Sequence, residues 1–332
     1  MTSPSRTTIE RIVAAACRAP SVHNSQPWRW RYDGERLDLF ADWDRQIRTG
    51  DPAGRDLEIS CGAALHHAVV AAAAEGLLAR VTRVPDALDS THLASLRFTP
   101  TNVTVMAETT AEAIYARHTD RREPSSTPVP DSRLQDLALV AAAHGAFVTA
   151  VRVPEDHAVL TDLRQLSALL QHDDDHYFQE LSRWTHSTGD DGVPDTNVLF
   201  APPEQSRYSA MARFPSGTLR DAPEDGGDPA PSWLLVATSS DDTLSRLRAG
   251  EALSAMSLLA TLHGLSLVPF TQPVEVDVTR TRMEERVLSS GTCLQLVLRV
   301  GVPPAVRARV PMTRRRPVHD VLTQVEVNDV RS

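Results

Sequence analysis

Two short segments of the chain contain side chains that could recognise a small molecule. The first, residues 19–30, reads APSVHNSQPWRW and places hydroxyl and amide side chains next to tryptophan. Such groups donate and accept hydrogen bonds, so they could bind the polar edge of a ligand. A purely structural alternative is that they cap the end of a helix beside a buried Trp28.

The second segment is rich in arginine. Residues 117–122 read RHTDRR, and residues 314–317, near the other end of the chain, read RRRP. Guanidinium groups on either side of the Thr119 hydroxyl could surround a phosphate. In a chain with a net charge of −9, two such clusters would repel each other unless an anion lay between them. The alternative is that both runs are solvated surface charges.

The hydrophobic pattern predicts the elements that must position these segments. A capping box at Thr7–Glu10 predicts the start of a first helix. Alternating polarity predicts a strand at Arg36–Ala41, and an apolar run predicts another at Ser232–Thr238. Alanine-rich helices are predicted at Gly62–Gly76 and Gly250–Gly264, each ended by glycine.

The two glycine-bounded helices resemble each other. Aligned without a gap, residues 62–77 and 250–265 are identical at six of sixteen positions. The matched pairs are Gly62 with Gly250, Ala64 with Ala252, Leu65 with Leu253, Ala72 with Ala260, Gly76 with Gly264, and Leu77 with Leu265. This repeat predicts two similar halves, joined through the proline-rich residues 123–132.

Composition excludes several classes of function. All 34 basic residues of the 332 are arginine, and without lysine neither a pyridoxal-phosphate Schiff base nor a P-loop lysine can exist. The net negative charge argues against a nucleic-acid partner. Three widely spaced cysteines predict a reducing compartment. Residues 1–8 lack the apolar centre of a signal peptide, and no run approaches the roughly 18 apolar residues of a membrane span, so a cytoplasmic protein without a membrane partner is expected.

The histidine pairs favour structural roles. His172 and His176 have a helical metal-ligand spacing, but the three acidic residues between them suit a solvated surface, so no metal is expected. His66 and His67 are adjacent in a predicted helix, so at most one of them should face inward. The sequence contains no H-E-x-x-H, G-x-S-x-G or G-x-G-x-x-G motif, and therefore zincin, hydrolase and Rossmann folds have no support.

Taken together, the 19–30 segment, the repeat and the arginine clusters resemble the FMN-dependent nitroreductase family. In that family an Arg-x-Ser-x-Lys/Arg element and a C-terminal basic pair hold the FMN phosphate, and an A-P-S-x-x-N-x-Q-P-W segment borders the flavin ring. The sequences CGAAL at 61–65 and TRRRP at 313–317 are similar to the Acg-like branch of actinobacteria. The resemblance is weakest over residues 80–105 and 173–230. The cofactor-binding residues that it implies are Pro20, Ser21, Val22, Asn24, Gln26, Arg117, His118, Thr119, Arg121, Arg314 and Arg316.

The resemblance also implies an α+β fold with two tandem nitroreductase-like halves. In the family, two subunits share each flavin. Here the A-P-S segment precedes the arginine element instead of following it, and each half lacks the element that the other has kept. The chain is therefore expected to be a fused pseudo-dimer, a monomer acting as an internal dimer. Its halves would span residues 1–104 and 105–332, with one FMN at their interface.

The activity implied by the resemblance is the NAD(P)H-dependent reduction of nitro or quinone compounds, with NAD(P)H binding transiently over the flavin. The family places a glycine-containing segment near flavin N5. Here the corresponding residues 269–273 read PFTQP and lack the usual Glu-Gly, so Thr271 and Gln272 are the candidates for this contact. A lid predicted within residues 173–230 could cover the ring. That leaves a second interpretation, a non-catalytic protein that sequesters or stores FMN.

Overall fold

A computed structural model of the protein describes residues 4–172, 174–200, 214, 216–220, 230–304 and 310–325. Within these residues the α-helices are α1 (Arg6–Ala16), α2 (Arg55–Ala74), α3 (Val105–Ala116), α4 (Asp131–Ala142), α5 (Pro154–His172), α6 (Asp175–Trp184), α7 (Thr243–Leu262), α8 (Gln272–Glu275), α9 (Asp277–Val287) and α10 (Val318–Val321). The strands are β1 (Trp28–Tyr32), β2 (Arg36–Ala41), β3 (Leu77–Arg83), β4 (His92–Pro100), β5 (Phe147–Val151), β6 (Ser232–Thr238), β7 (Ser266–Pro269), β8 (Cys293–Gly301) and β9 (Leu322–Gln324).

The first helix starts before the predicted capping box. Ser5 is the N-cap, with an extended backbone and a hydroxyl that accepts a hydrogen bond from the backbone N–H of Thr8 at 3.1 Å. The prediction that Thr7 and Glu10 form a capping box was wrong, because both residues already lie inside the helix. The strands at Arg36–Ala41 and Ser232–Thr238 are confirmed.

The two sheets share one strand order. The first runs β3-β4-β2-β1, and the second, read from its opposite edge, runs β7-β8-β6-β5, with antiparallel neighbours throughout. In each sheet a register shift falls just before the penultimate residue of one inner strand, between Leu39 and Phe40 in β2 and between Val236 and Ala237 in β6. Because bulges are characteristic of a fold, their equivalent positions support a common architecture. The predicted α+β fold with two tandem halves is confirmed.

The end of the chain returns to the first sheet. β9 pairs in parallel with β1, so that Leu322 lies opposite Trp30 and Gln324 opposite Tyr32. The residues just before β9 are thereby brought beside the A-P-S segment, and the backbone N–H of Arg316 donates to Gln26 Oε1 at 2.8 Å. This crossover brings the arginine run at residues 314–316 to the A-P-S segment.

Each sheet has its own packed core. The first sheet packs against α1, α2 and α3. Trp28 and Trp30 lie in this core and are fully buried. The second sheet is covered by α4 and α7 on one face and by α5 and α9 on the other. Burial on both faces explains why β6 and β8 are almost continuously apolar.

The two alanine-rich helices, α2 and α7, cross at their glycines, and we call this crossing the α2–α7 seam. A Cβ on Gly62 would overlap the carbonyl oxygen of Leu247 and lie 3.0 Å from the Cα of Gly250. A Cβ on Gly250 would overlap the carbonyl oxygen of Ile59. Glycine therefore lets the two backbones touch. Two residues paired by the sequence repeat are thus in direct contact.

Both His66 and His67 face the α2–α7 seam. The Nδ1 atom of each lies 2.7 Å from the hydroxyl of Ser254, which comes from the opposite helix. Burial lowers the pKa of His66 to about 3 and that of His67 well below its ordinary value. The expectation that at most one would face inward was wrong, because a single hydroxyl can donate to one neutral imidazole and accept from the other.

Replacing Ser254 with alanine is expected to lower the free energy of unfolding by about 2 kcal/mol, because two buried imidazole nitrogens lose their common partner. Urea denaturation of the variant measures this loss. Ser257→Ala is the matched control, since this buried hydroxyl on the same helix bonds only to the carbonyl of Leu253 one turn away. Equal stability losses in the two variants would contradict a role for the shared hydroxyl.

Among the residues that the structure describes, one helix is long and apolar enough to cross a membrane by length and composition alone. This helix is α2, and most of its apolar stretch is buried inside the protein. Packing against α1, α3 and α7 gives it the environment of a core helix. Its hydrophobicity is thereby accounted for without a membrane.

Candidate functional site

A cavity of about 170 Å³ lies where the two halves meet. A cavity needs only about 10–15 Å³ to hold one water molecule, so this space suits an organic molecule. The predicted residues that line it are Pro20, Ser21, Val22, Asn24, Arg117, His118, Thr119, Arg121, Thr271 and Gln272. Segments far apart in the sequence therefore meet at one cavity.

The A-P-S segment turns sharply along one wall of the cavity. His23, Asn24 and Gln26 have φ values of 47°, 56° and 51°, in the left-handed region that side chains rarely adopt. The turn is held by Gln26 N–H, which donates to Ser21 Oγ at 3.1 Å, and by Val22 N–H, which donates to Ser60 Oγ at 3.1 Å. Strained backbone that is held so firmly is typical of ligand sites.

The asparagine of this segment is only partly satisfied by the protein. Asn24 Nδ2 donates to the carbonyls of Gly192 at 2.9 Å and Arg314 at 3.2 Å. Asn24 lines the cavity, and its Oδ1 atom is buried without a hydrogen-bond partner among the described residues. The same is true of Gln272 and its Oε1 atom on the opposite segment. Two amide side chains at the cavity therefore have unused acceptor capacity.

Two of the arginines that line the cavity are Arg117, which is buried, and Arg315, which is partly buried. Arg117 follows α3, Arg315 precedes α10, and the Nε atom of each is buried without a hydrogen-bond partner among the described residues. Burial, reinforced by the nearby charge of Arg18, lowers the pKa of Arg117 to about 10. Burial and the charges of Arg117 and Arg18 lower the pKa of Arg315 to about 9. Such mutual repulsion would be relieved by an anion between the guanidinium groups.

The remaining arginines of the 117–122 run have different environments. Arg122 forms a buried ion pair with Asp120 at 2.9 Å and so acts in the structure of the loop. Arg121 lines the cavity, where its Nη1 donates to the Asn197 carbonyl at 3.0 Å and its guanidinium lies 4.9 Å from the centre of the Phe214 ring. A charged group beside an aromatic face is suited to a planar polar ligand.

Three of the predicted site residues do not line the cavity. Arg314 and Arg316 do not line the cavity, whereas Thr313 and Arg315 do. Residues that line the cavity therefore alternate here with residues that do not, as in a backbone whose successive side chains point in opposite directions. Arg316 instead approaches Asp42 at 3.8 Å. Gln26 is fully buried and donates to the Asp190 carbonyl at 2.7 Å, which fixes the turn.

Several cavity residues were missed by sequence reasoning. The polar and aromatic ones are His23, Asp56, Ser60, Asn197, Phe214, Phe270, Arg299, Thr313 and Arg315. Asp56 and Ser60 are one helical turn apart, so they share a face of α2, but this spacing was informative only once α2 was known to start at Arg55. No signal linked Asn197 or Phe214 to the A-P-S segment, because their proximity depends on the tertiary fold.

The described residues contain no group of three or more His, Cys, Asp or Glu side chains that could hold a metal ion. His172 ends α5 and His176 lies in α6, so their spacing is not that of one helix.

Comparison with known proteins identifies the family. No protein-family model matches the chain. A Mycobacterium tuberculosis protein named "Putative NAD(P)H nitroreductase Rv3131" is 38% identical over 323 residues, which cover 96% of this chain and 92% of the relative. The chain belongs to the NAD(P)H nitroreductase family. Another M. tuberculosis member, named acg, is 35% identical over 322 residues, which cover 94% of each protein. These long alignments confirm the resemblance to the Acg-like nitroreductases.

Solved nitroreductase structures show weaker similarity. A nitroreductase with bound FMN from Bacteroides fragilis is 14% identical, with a TM-score of 0.38 over 62% of this chain and 94% of that chain. The FMN- and NADPH-dependent nitroreductase NfnB from a Sphigopyxis strain is 15% identical, with a TM-score of 0.39 over 61% of this chain and 94% of that chain.

Proposed function

We propose that the protein binds one FMN in the cavity and uses NAD(P)H to reduce small nitro or quinone compounds. The observation that carries the proposal is the pair of arginines at the cavity, Arg117 and Arg315. Both residues line it, and the Nε atom of each is buried without a hydrogen-bond partner among the described residues. Membership of the NAD(P)H nitroreductase family supplies the reaction class.

The residues around the cavity fit the parts of FMN. Its phosphate carries about two negative charges at neutral pH, which Arg117 and Arg315 would neutralise, with the Thr119 hydroxyl as a further donor. Its ring has an N–H group and carbonyls, for which Asn24 and Gln272 offer amide groups. When bound, FMN supplies the hydride chemistry, and the protein sets orientation and access. NAD(P)H would bind only transiently.

The same proposal extends to the organisation of the chain. We assign residues 1–104 and 105–332 to two nitroreductase-like halves that act as an internal dimer within a cytoplasmic monomer. The return of β9 to the first sheet and the contact between Gly62 and Gly250 support this assignment, since both join the halves as subunits would be joined.

A second function is favoured by the segment that covers the A-P-S turn. Asn24 and Gln26 donate to the carbonyls of Gly192 and Asp190, and Arg45 forms an ion pair with Asp191. Val193 and Leu199 from this segment line the cavity. If it acts as the proposed lid, nicotinamide could not stack on the ring, and the protein would sequester FMN. Residues 173, 201–213, 215 and 221–229 of the predicted lid lie outside the described residues.

Anaerobic mixing of the FMN-loaded protein with NADPH distinguishes the two functions. We expect the oxidised flavin absorbance to disappear rapidly, and to return when a nitroaromatic compound or quinone is added. Absorbance that persists for minutes would instead establish sequestration. Protein that remains colourless after incubation with FMN would contradict both functions.

A further inference from the structure

Arg299 is a buried arginine in an otherwise apolar part of β8. It is 6% exposed, and its partners in the neighbouring strands are Trp233 on β6 and Val268 on β7. The residues on either side of it, Leu298 and Val300, are fully buried. A charged side chain is costly at such a position unless its donors have partners. The partners of the guanidinium group therefore explain why an arginine occupies this strand.

The guanidinium of Arg299 contacts residues 117–123, which follow α3 and which we call the arginine loop. Its Nη2 donates to the backbone carbonyls of Arg121 at 3.0 Å and Arg122 at 2.7 Å. Its Nη1 pairs with the Glu123 carboxylate at 3.2 Å. One side chain thus contacts three consecutive residues of the loop, which its planar arrangement of several donors makes possible.

The arginine loop is also closed from within by an ion pair. The Nε and Nη2 atoms of Arg122 donate to the two carboxylate oxygens of Asp120, each at 2.9 Å, and the Arg122 N–H donates to Oδ1 at 3.2 Å. Both side chains are almost completely buried. This pair fixes the shape of the loop, whereas Arg299 attaches the loop to β8.

The residues after the arginine loop also lie against the end of β8. The backbone N–H of Ser125 donates to the Val302 carbonyl at 2.8 Å. A Cβ on Gly301 would lie only 2.4 Å from the Cβ of Pro124, so the two segments are in close contact. The end of β8 therefore holds this part of the chain at two successive places, first through the Arg299 side chain and then through its backbone.

The arginine loop carries four residues that line the cavity, namely Arg117, His118, Thr119 and Arg121. Arg299 lines the cavity as well, but both of its Nη atoms contact the loop. A shift of the loop would move the Arg117 guanidinium and the Thr119 hydroxyl relative to Arg315, which comes from a distant part of the chain. Recognition of a phosphate by several donors depends on their relative positions. The attachment of the loop to β8 therefore controls the geometry of the cavity.

We propose that Arg299 is a positioning residue, which holds the arginine loop so that Arg117 and Thr119 meet the phosphate group of the ligand. The identity of this ligand as FMN rests on the proposed function, but the attachment of the loop does not. Arg299 acts through the carbonyls of Arg121 and Arg122. Without it these carbonyls lose a donor and the loop moves, while the A-P-S segment is held by other bonds.

Hydrogen exchange in the flavin-free protein tests the attachment of the loop. In Arg299→Met, peptides covering residues 117–123 should exchange faster than in wild type, because the loop has lost its bonds to β8. Arg55→Met is the matched control, since Arg55 is also buried, donates to the Leu294 carbonyl of β8 at 2.8 Å and pairs with Asp241. It should leave exchange in the loop unchanged. Loop exchange that stays at the wild-type rate in Arg299→Met, or that both variants accelerate equally, would overturn the proposal.

Binding of FMN and riboflavin then separates positioning from general damage to the cavity. Arg299→Met should weaken FMN binding by about 10-fold or more, through misplaced phosphate donors, and leave riboflavin affinity nearly unchanged. Arg299→Lys keeps the charge but not the planar set of donors, so its FMN affinity should lie between those of wild type and Arg299→Met. Equal losses for FMN and riboflavin would overturn the proposal. So would a loss of FMN affinity without faster loop exchange, since Arg299 would then contact the ligand directly. Wild-type protein that binds no FMN would contradict the proposed function alone, because the exchange measurement needs no ligand.

Discussion

Methionine in place of Arg117 or Arg315 is expected to weaken FMN binding by about 10- to 150-fold. A hydrogen bond to a charged group contributes about 1.5–3 kcal/mol, and each variant removes one guanidinium from the proposed phosphate position. Without FMN, the Arg117 variant should be no less stable than wild type, since burial and the nearby charge of Arg18 disfavour the Arg117 cation. Fluorescence titration with FMN and thermal unfolding measure the two effects separately.

Two controls make this result specific to the phosphate. Arg314→Met removes the same charge from the adjacent residue, whose side chain does not line the cavity, and it should change the dissociation constant by less than about 3-fold. Riboflavin lacks the phosphate, so its affinity should be nearly the same for wild type and for the Arg117 and Arg315 variants. If Arg314→Met releases FMN while Arg315→Met retains it, the assignment of Arg315 is wrong.

The comparison of Arg314, Arg315 and Arg316 shows how far sequence reasoning can reach. The run of arginines predicted basic groups from this end of the chain near Arg117, and the structure has Arg315 at the same cavity as Arg117. It could not determine which of them face inward, because in extended backbone a shift of one residue exchanges the two sides. That register depends on Gln26, which accepts from the Arg316 N–H 290 positions along the chain.

The A-P-S segment was predictable as a site for a similar reason. Its residue types indicated hydrogen bonding, and Ser21 and Asn24 do line the cavity. The roles of individual residues were not predictable. Gln26 has the same functional group as Asn24, but the turn between them directs Gln26 into the protein, toward the Asp190 carbonyl. Positive φ angles at non-glycine residues leave no clear trace in the sequence.

The repeat could be found in sequence only where packing restricts the choice of residue. Gly62 and Gly250 match because each must lack a side chain for the helices to touch. The sheets share strand order and bulge position, yet their sequences diverge, since many apolar residues fill a core equally well.

Alanine in place of Gly62 or Gly250 is expected to lower the free energy of unfolding by about 3 kcal/mol or more. The new methyl group would overlap a backbone carbonyl of the opposite helix, and a rigid backbone cannot move aside as a flexible side chain can. The helices would have to separate, which would also loosen the bonds of His66 and His67 to Ser254. Urea denaturation followed by circular dichroism measures the loss.

Gly189→Ala is the matched control for the glycine variants. A Cβ at Gly189 would have its nearest neighbours at 3.7 and 3.9 Å, which are ordinary contact distances. Stability should therefore change by less than about 0.5 kcal/mol. Because the α2–α7 seam joins the two halves that form the cavity, the Gly62 and Gly250 variants should also lose FMN affinity, in parallel with their stability. A variant that retains wild-type stability would show that the two backbones do not touch at these glycines.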